Sequence, residues 1–142
     1  MFLPFAEHHS RLIQPSGQDV LVFNEAAADM MATQATFGPA VTWKYQGRVA
    51  AIFGFVEIWP GLSEAWLIAD DTARKTPLAF TKSAIFVLDI AQISMRLHRL
   101  QITVRTTDKR AEKWARAIGF EPECVMRKYG PDQVDYFLMA RF

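Results

Sequence analysis

An α/β (α+β) fold built on a mixed, mostly antiparallel sheet is what this chain of 142 residues predicts, on three observations. Residues 100–105 alternate Leu, Ile and Val with polar residues, the period of two that turns every apolar side chain to one face of a strand. Residues 78–97 are apolar nearly throughout. Their polar positions Lys82, Asp89, Gln92 and Arg96, continued by Arg99, recur at intervals of seven, three, four and three, one narrow stripe on a helix packed over most of its circumference. The chain then ends in two short apolar runs, Cys124-Val125-Met126 and Tyr136-Phe137-Leu138-Met139, around the turn Tyr129-Gly130-Pro131-Asp132, which is a closing hairpin.

The remaining elements follow in order. Leu3-Pro4-Phe5 reads as a first strand, and residues 24–31 are rich in good helix formers, with Phe37-Gly38-Pro39 ending that region. Residues 40–45 and 48–59 are strands joined by a tight hairpin at Gln46-Gly47. Ala50-Ala51-Ile52-Phe53 is apolar on both faces, as in an interior strand covered by helices. Pro60-Gly61 turns the chain into a third strand over residues 64–69, and Thr76 and Pro77 suit the cap and first position of the long helix. After the strand at 100–105, Asp108 can accept from the free N–H groups of a short helix over 109–117. Gly119 stops that helix in the left-handed conformation, and Phe120 folds back onto it.

Length implies a single domain, residues 1–142, large enough to bury a real core. A chain that is 51% apolar and 13% aromatic is not disordered away from its ends. A net charge of +1 supplies no broad field for nucleic acid or anionic lipid, so nucleic acid is not an expected partner; the basic residues between Arg96 and Arg116 read as a solvated face. Cys124, in an alternating strand, is expected to be a buried, inert thiol. No run approaches the roughly 18 apolar residues of a membrane span, and no basic-then-apolar leader opens the chain, so a soluble protein is expected. His8 and His9 are adjacent and do not face one site, so no metal is expected, and neither a nucleophile elbow nor a Gly-rich phosphate loop is present.

Antiparallel strands, a strand-helix-strand crossover, a short helix and a closing hairpin over residues 40–142 resemble the GNAT acyltransferase family. The family's late motif, an Asn, an Ala three on, a Tyr and a Gly-Phe pair, corresponds to Asp108, Ala111, Ala115 and Gly119-Phe120. Among GNAT-like proteins the chain is most similar to the internal virion proteins of short-tailed bacteriophages and their prophage relatives. That resemblance rests on Val41-Thr42-Trp43, Trp66-Leu67-Ile68-Ala69-Asp70-Asp71, Arg74 and Pro77 leading into Phe80, and Ile118-Gly119-Phe120. It implies helices on both faces of the sheet, phage virion or host proteins as partners, and the cytoplasm of an infected or lysogenic bacterial cell, or the virion, as location.

In the family, a Gly-rich loop entering the long helix cradles a pyrophosphate with backbone N–H groups and the helix dipole. Here that loop, residues 70–76, contains no Gly, and Pro77 removes one N–H. The resemblance assigns cofactor binding to Ala69, Arg74, Lys75 and Thr76; Arg74 and Lys75 read either as phosphate ligands or as partners of Asp70 and Asp71. Direct acyl transfer needs a base for the incoming ammonium and often a Tyr for the leaving thiolate. Glu57 is the candidate base, or else a charge at a strand end near water. The Tyr position is Ala115, leaving Tyr129 and Tyr136 as substitutes if the fold brings one to the thioester sulfur. The expectation is a virion-associated structural or interaction protein with a degenerate catalytic site and no required cofactor. Its alternative is an active acyl-CoA-dependent N-acetyltransferase that uses acetyl-CoA to acetylate an amine.

Overall fold

A computed structural model describes residues 1–13 and 35–142; the helix expected at 24–31 and the loop at Gln14-Pro15-Ser16-Gly17 lie outside the described residues. The described elements are β1 (Phe2–Pro4), α1 (His9–Leu12), a single 3-10 turn (Ala35–Phe37), β2 (Ala40–Tyr45), β3 (Arg48–Trp59), β4 (Leu62–Ala69), α2 (Asp71–Lys75), α3 (Pro77–Ser94), β5 (Arg99–Arg105), α4 (Lys109–Ala117), β6 (Glu121–Met126) and β7 (Tyr136–Arg141). They fall into two compact units, Met1–Glu57 with Ala65–Ser83, and Ile58–Glu64 with Ala84–Phe142.

In the first unit β1 pairs antiparallel with β2, and β2 with β3 from Ala40↔Gly54 to Tyr45↔Arg48. Gln46 (φ 52°) and Gly47 (φ 76°) supply the two left-handed residues that the expected tight hairpin needs. Val49 through Phe55 is buried without a break, as the two-sided apolar run requires. Phe80 packs on Trp43 and Phe53 with ring centroids 5.5 and 6.1 Å apart. Ile13, Val49 and Ile52 form a second cluster under Phe5, Trp66 and Ile68.

His9 ties the N-terminal segment to this unit. Its Nδ1 accepts the Ala6 N–H at 3.0 Å and lies 2.7 Å from the Thr42 hydroxyl, so the ring is neutral with its proton on Nε2. Burial first, then the charges of His8 and Lys44, hold its pKa below the ordinary histidine value. The unfolded chain therefore takes up a proton more readily than the native one. The stability this group contributes is present above the ordinary histidine range and is lost as pH falls through and below it. Unfolding midpoints measured from about pH 7.5 to about pH 5 are expected to fall, and His9→Gln should flatten that fall; equal slopes in the two proteins would count against the assignment.

In the second unit the strands order as β4-β5-β7-β6. β4 and β5 run parallel, which demands a long crossover, and α3 makes it. β7 lies antiparallel to both β5 and β6. Asp108 caps α4 by accepting the Ala111 N–H at 3.0 Å, and Gly119 closes it at φ 103°. The Phe120 N–H returns to the Ala115 carbonyl at 3.0 Å, and its ring is 2% exposed. The Arg141 guanidinium donates to the Ile118 carbonyl (3.0 Å), the Gln92 side chain and Asp89 (2.6 Å), so two residues of the expected wet stripe on the long helix are ligands of an arginine.

Three expectations change. Residues 70–76 are not a loop throughout, because five of them form α2. Cys124 is exposed, because β6 ends the strand order and leaves Glu123, Cys124 and Val125 uncovered. The long helix buries Phe80, Ala84, Val87, Leu88 and Ala91, positions that recur at helical spacing along one face. Leu78, Phe86, Ile90 and Ile93 stay 47–74% exposed on the opposite arc, since a helix on a sheet is covered from one side.

Candidate functional site

The residues assigned to cofactor binding lie at one corner of the first unit. Ala69 ends β4, buried, and the next N–H, of Asp70, donates to the Ala50 carbonyl at 2.9 Å, pinning the chain to β3. Asp70 is fully buried. Its carboxylate accepts the Ala73 N–H at 3.3 Å as the cap of α2 and the Arg48 Nε at 3.0 Å, so the corner's first amide is filled by the protein's own carboxylate. Lys75 makes an exposed i,i+4 contact with Asp71 at 3.8 Å, and the Thr76 hydroxyl donates to the Thr72 carbonyl at 2.7 Å. Arg74, Lys75 and Thr76 thus sit together in the last turn of α2, immediately before α3 begins at Pro77. Glu57 is exposed in the outer part of β3.

The polar row on β5 assembles a second constellation, in the second unit. The apolar residues Leu100 and Val104 are buried, while Arg99, Gln101, Thr103 and Arg105 share the other face at the strand period. Each of the four has a partner. Arg99 donates both terminal nitrogens to the two oxygens of Glu123, one contact at 3.1 Å, and its Nε to Gln101 Oε1 at 3.0 Å. Gln101 hydrogen-bonds Glu64, its register partner at the end of the three-residue parallel ladder Leu62↔Arg99, Ser63↔Leu100, Glu64↔Gln101. Thr103 hydrogen-bonds Tyr129. Arg105 grips Asp132 through both carboxylate oxygens (2.6 and 3.3 Å), reaches the Tyr136 hydroxyl at 3.4 Å and lies 5.7 Å from the centre of its ring.

Electrostatics distinguish the members. Burial pushes Glu64 above the ordinary carboxylate value, and the hydrogen bond from Gln101 opposes that push. Tyr129 is 52% exposed, yet its phenol is raised above the ordinary value, by burial first and then by Glu64 and Tyr136, with the Thr103 hydrogen bond opposing; it keeps its proton at neutral pH. The loop that carries Tyr129 is held by the Arg105–Asp132 pair and by the Lys128 N–H donating to Asp135 at 2.9 Å. The Tyr129 ring meets Tyr136 edge to face at 5.2 Å. A partly buried carboxyl, a protonated phenol and the Thr103 hydroxyl are groups able to exchange protons with a substrate.

Sequence reading named Tyr129 and Tyr136 but missed Glu64 and its support from Gln101. The available signal was the alternation of residues 99–105, whose polar half is fully engaged. Among the described residues no group of three or more His, Cys, Asp or Glu side chains is placed to hold a metal, and no helix is long and apolar enough to cross a membrane.

No protein-family model and no curated protein matches the sequence. Solved structures do match the fold. A variant of the spermidine N-acetyltransferase SpeG from Vibrio cholerae aligns with a TM-score of 0.75 at 13% identity, over 100% of this chain and 94% of that one. Ard1 from Thermoplasma volcanium aligns at 0.77 and 13%, over 99% and 95%, and a GNAT-family acetyltransferase from Bacillus anthracis at 0.74 and 16%, over 98% and 92%. At such identities the likeness speaks to architecture and leaves substrate open. With seven strands in a mixed arrangement among the described residues and helices between them, the chain has the α/β fold of the GNAT-type acetyltransferases.

Proposed function

We propose that the protein is an acyl-CoA-dependent N-acyltransferase that transfers an acetyl group to an amine, with Glu64 as the base. The observation that carries this is the partly buried Glu64 carboxylate, held above the ordinary carboxylate range at the end of the parallel ladder and hydrogen-bonded by a neutral amide. Acetyltransferases among the structural neighbours support the same reading. Glu57 is the alternative base; it lies exposed in the outer part of β3, whereas Glu64 is partly buried and held by Gln101, which favours Glu64.

Acetyl-CoA supplies an activated thioester: the bond to the acceptor nitrogen forms as the carbon–sulfur bond breaks and sulfur keeps the electron pair. Glu64 takes the proton that the acceptor ammonium must lose. Tyr129 donates a proton to the leaving sulfur and is reprotonated by the second proton that the nitrogen loses as the amide forms, and Glu64 returns its own proton to solvent, so one proton is released per amide formed. In the first unit, Arg74 and Lys75 at the end of α2 are suited to a pyrophosphate, whereas α2 itself is closed to phosphate by its Asp70 cap. That closed cap is what favours the second reading, a virion-associated interaction protein in a phage particle or in the infected or lysogenic cell.

Thermal unfolding across a titration of acetyl-CoA, with coenzyme A and ATP alongside, separates the two. A ligand at a hundred times its dissociation constant adds about 2.7 kcal/mol, a rise of several degrees for a domain this size. A saturable shift confined to the CoA compounds is expected. No shift at millimolar acetyl-CoA would remove the enzyme reading.

A further inference from the structure

Gln101 is matched to different chemistry at its two ends. Arginine only donates and an ionised carboxylate only accepts, so an amide placed between Arg99 and Glu64 must turn its oxygen to the guanidinium and its NH2 to the carboxylate. Arg99 Nε donates to Gln101 Oε1 at 3.0 Å, which leaves the Gln101 NH2 for Glu64, its register partner on β4. The orientation is fixed one step further out, because Glu123 holds the two terminal nitrogens of Arg99 and aims Nε along β5. The chain Glu123–Arg99–Gln101–Glu64 therefore runs across three strands, β6, β5 and β4, with each donor meeting an acceptor.

We infer that Gln101 and Arg99 are positioning residues for Glu64, Arg99 locking the Gln101 amide so that its NH2 steadies the Glu64 carboxylate in its ionised, proton-accepting form. This rests on Glu64 being the base of the proposed reaction. Burial favours the protonated carboxyl, which cannot accept a proton; a donor on its oxygen opposes this without adding charge beside the incoming ammonium. A lysine or arginine at position 101 would ionise Glu64 more completely but repel that ammonium, so a neutral amide suits both demands. Among the described residues, Glu64 is coupled to Gln101 on β5 and to Tyr129 on the β6–β7 loop; beyond them lie Arg99 on β5, with Glu123 and Cys124 of β6 beside that arginine, and Tyr136 on β7 beside Tyr129, with its partner Arg105. Of these, Arg99 and Gln101 act on Glu64 through a defined hydrogen-bond path.

The test is Gln101→Glu, nearly isosteric, which keeps the Arg99 contact and replaces the donor by a second carboxylate. Its companion is Gln101→Met, which removes the donor without charge and serves if the first variant folds poorly. Titration of the Glu64 side-chain carboxyl by carbon NMR, assigned with Glu64→Gln and run without substrate, reads the protonation directly. The expected result is an upward move of the Glu64 midpoint by about one pH unit or more in Gln101→Glu, tenfold in proton affinity, and a smaller move in the same direction in Gln101→Met. The acid limb of kcat/KM should move with it, and Arg99→Met should shift both in the same sense. An unchanged midpoint in both Gln101 variants would overturn the inference, and so would a moved midpoint with an unmoved acid limb. A moved midpoint in a protein whose wild type transfers no acetyl group would sink the enzyme reading while upholding the control of Glu64 by Gln101.

Discussion

Replacing Glu64 by Gln is expected to lower the rate of acetyl transfer to an amine by roughly a hundredfold to ten-thousandfold, the usual contribution of a positioned general base, while making the protein more stable at neutral pH. The two effects have one cause. Burial raises the proton affinity of Glu64 in the native state above its unfolded value, so between those two values the native state holds more protons than the unfolded chain. The stability associated with this group is complete below the unfolded value and is lost as pH rises through the native one. At neutral pH the ionised carboxylate is therefore a cost, and Gln, of the same shape and never ionised, removes it. Rates and unfolding midpoints measured together for wild type and variant check the pair. The acid limb of the wild-type kcat/KM profile should lie above the ordinary carboxylate range and vanish in the variant. A variant with unchanged rate, or one whose loss of rate is matched by loss of stability, would show that Glu64 is structural.

The second large effect is expected at Gly38. A Cβ built there would lie 1.7 Å from the Phe55 carbonyl oxygen and 2.9 Å from its carbon, both backbone atoms in a strand whose own N–H donates to the Pro39 carbonyl at 2.9 Å. No rotamer change relieves a clash with backbone. Gly38→Ala must separate the segment before β2 from β3, so we expect a loss at or above the upper end of the about 1–3 kcal/mol typical of overpacking, or a fall in midpoint of roughly 10 °C. Gly47→Ala is the control. Gly47 has φ 76°, but nothing lies within 4 Å of an added Cβ, so it should lose only the conformational cost of a left-handed alanine, about 1–2 kcal/mol. Comparable losses in the two variants would mean that the close approach at Gly38 relaxes easily.

Local chemistry made much of the fold legible. The Gln46-Gly47 hairpin, the Asp108 cap, the Gly119 stop and the two-sided apolar run in β3 each depend on residues a few positions apart, and each forms as expected. The segment at residues 70–76 was read as a loop, because whether Asp70 caps a helix or faces solvent depends on burial and on Arg48, 22 positions away. Cys124 was misplaced for a related reason: alternation identifies a strand but cannot say that the strand lies at the end of its order.

The same division runs through the candidate site. Period-two alternation over residues 99–105 by itself determined that Arg99, Gln101, Thr103 and Arg105 share one face of a strand, since successive side chains must point to opposite sides. Only the tertiary structure decided what each of them meets. Glu64 comes to Gln101 across 37 positions through a parallel pairing that requires the whole of α3 as its crossover, and Asp132 comes to Arg105 across 27 through the closing hairpin. Proton affinity is set by burial and by partners distant in sequence, so the proposed base was readable only as a glutamate in a strand, and its raised proton affinity came into view only once the strands were paired.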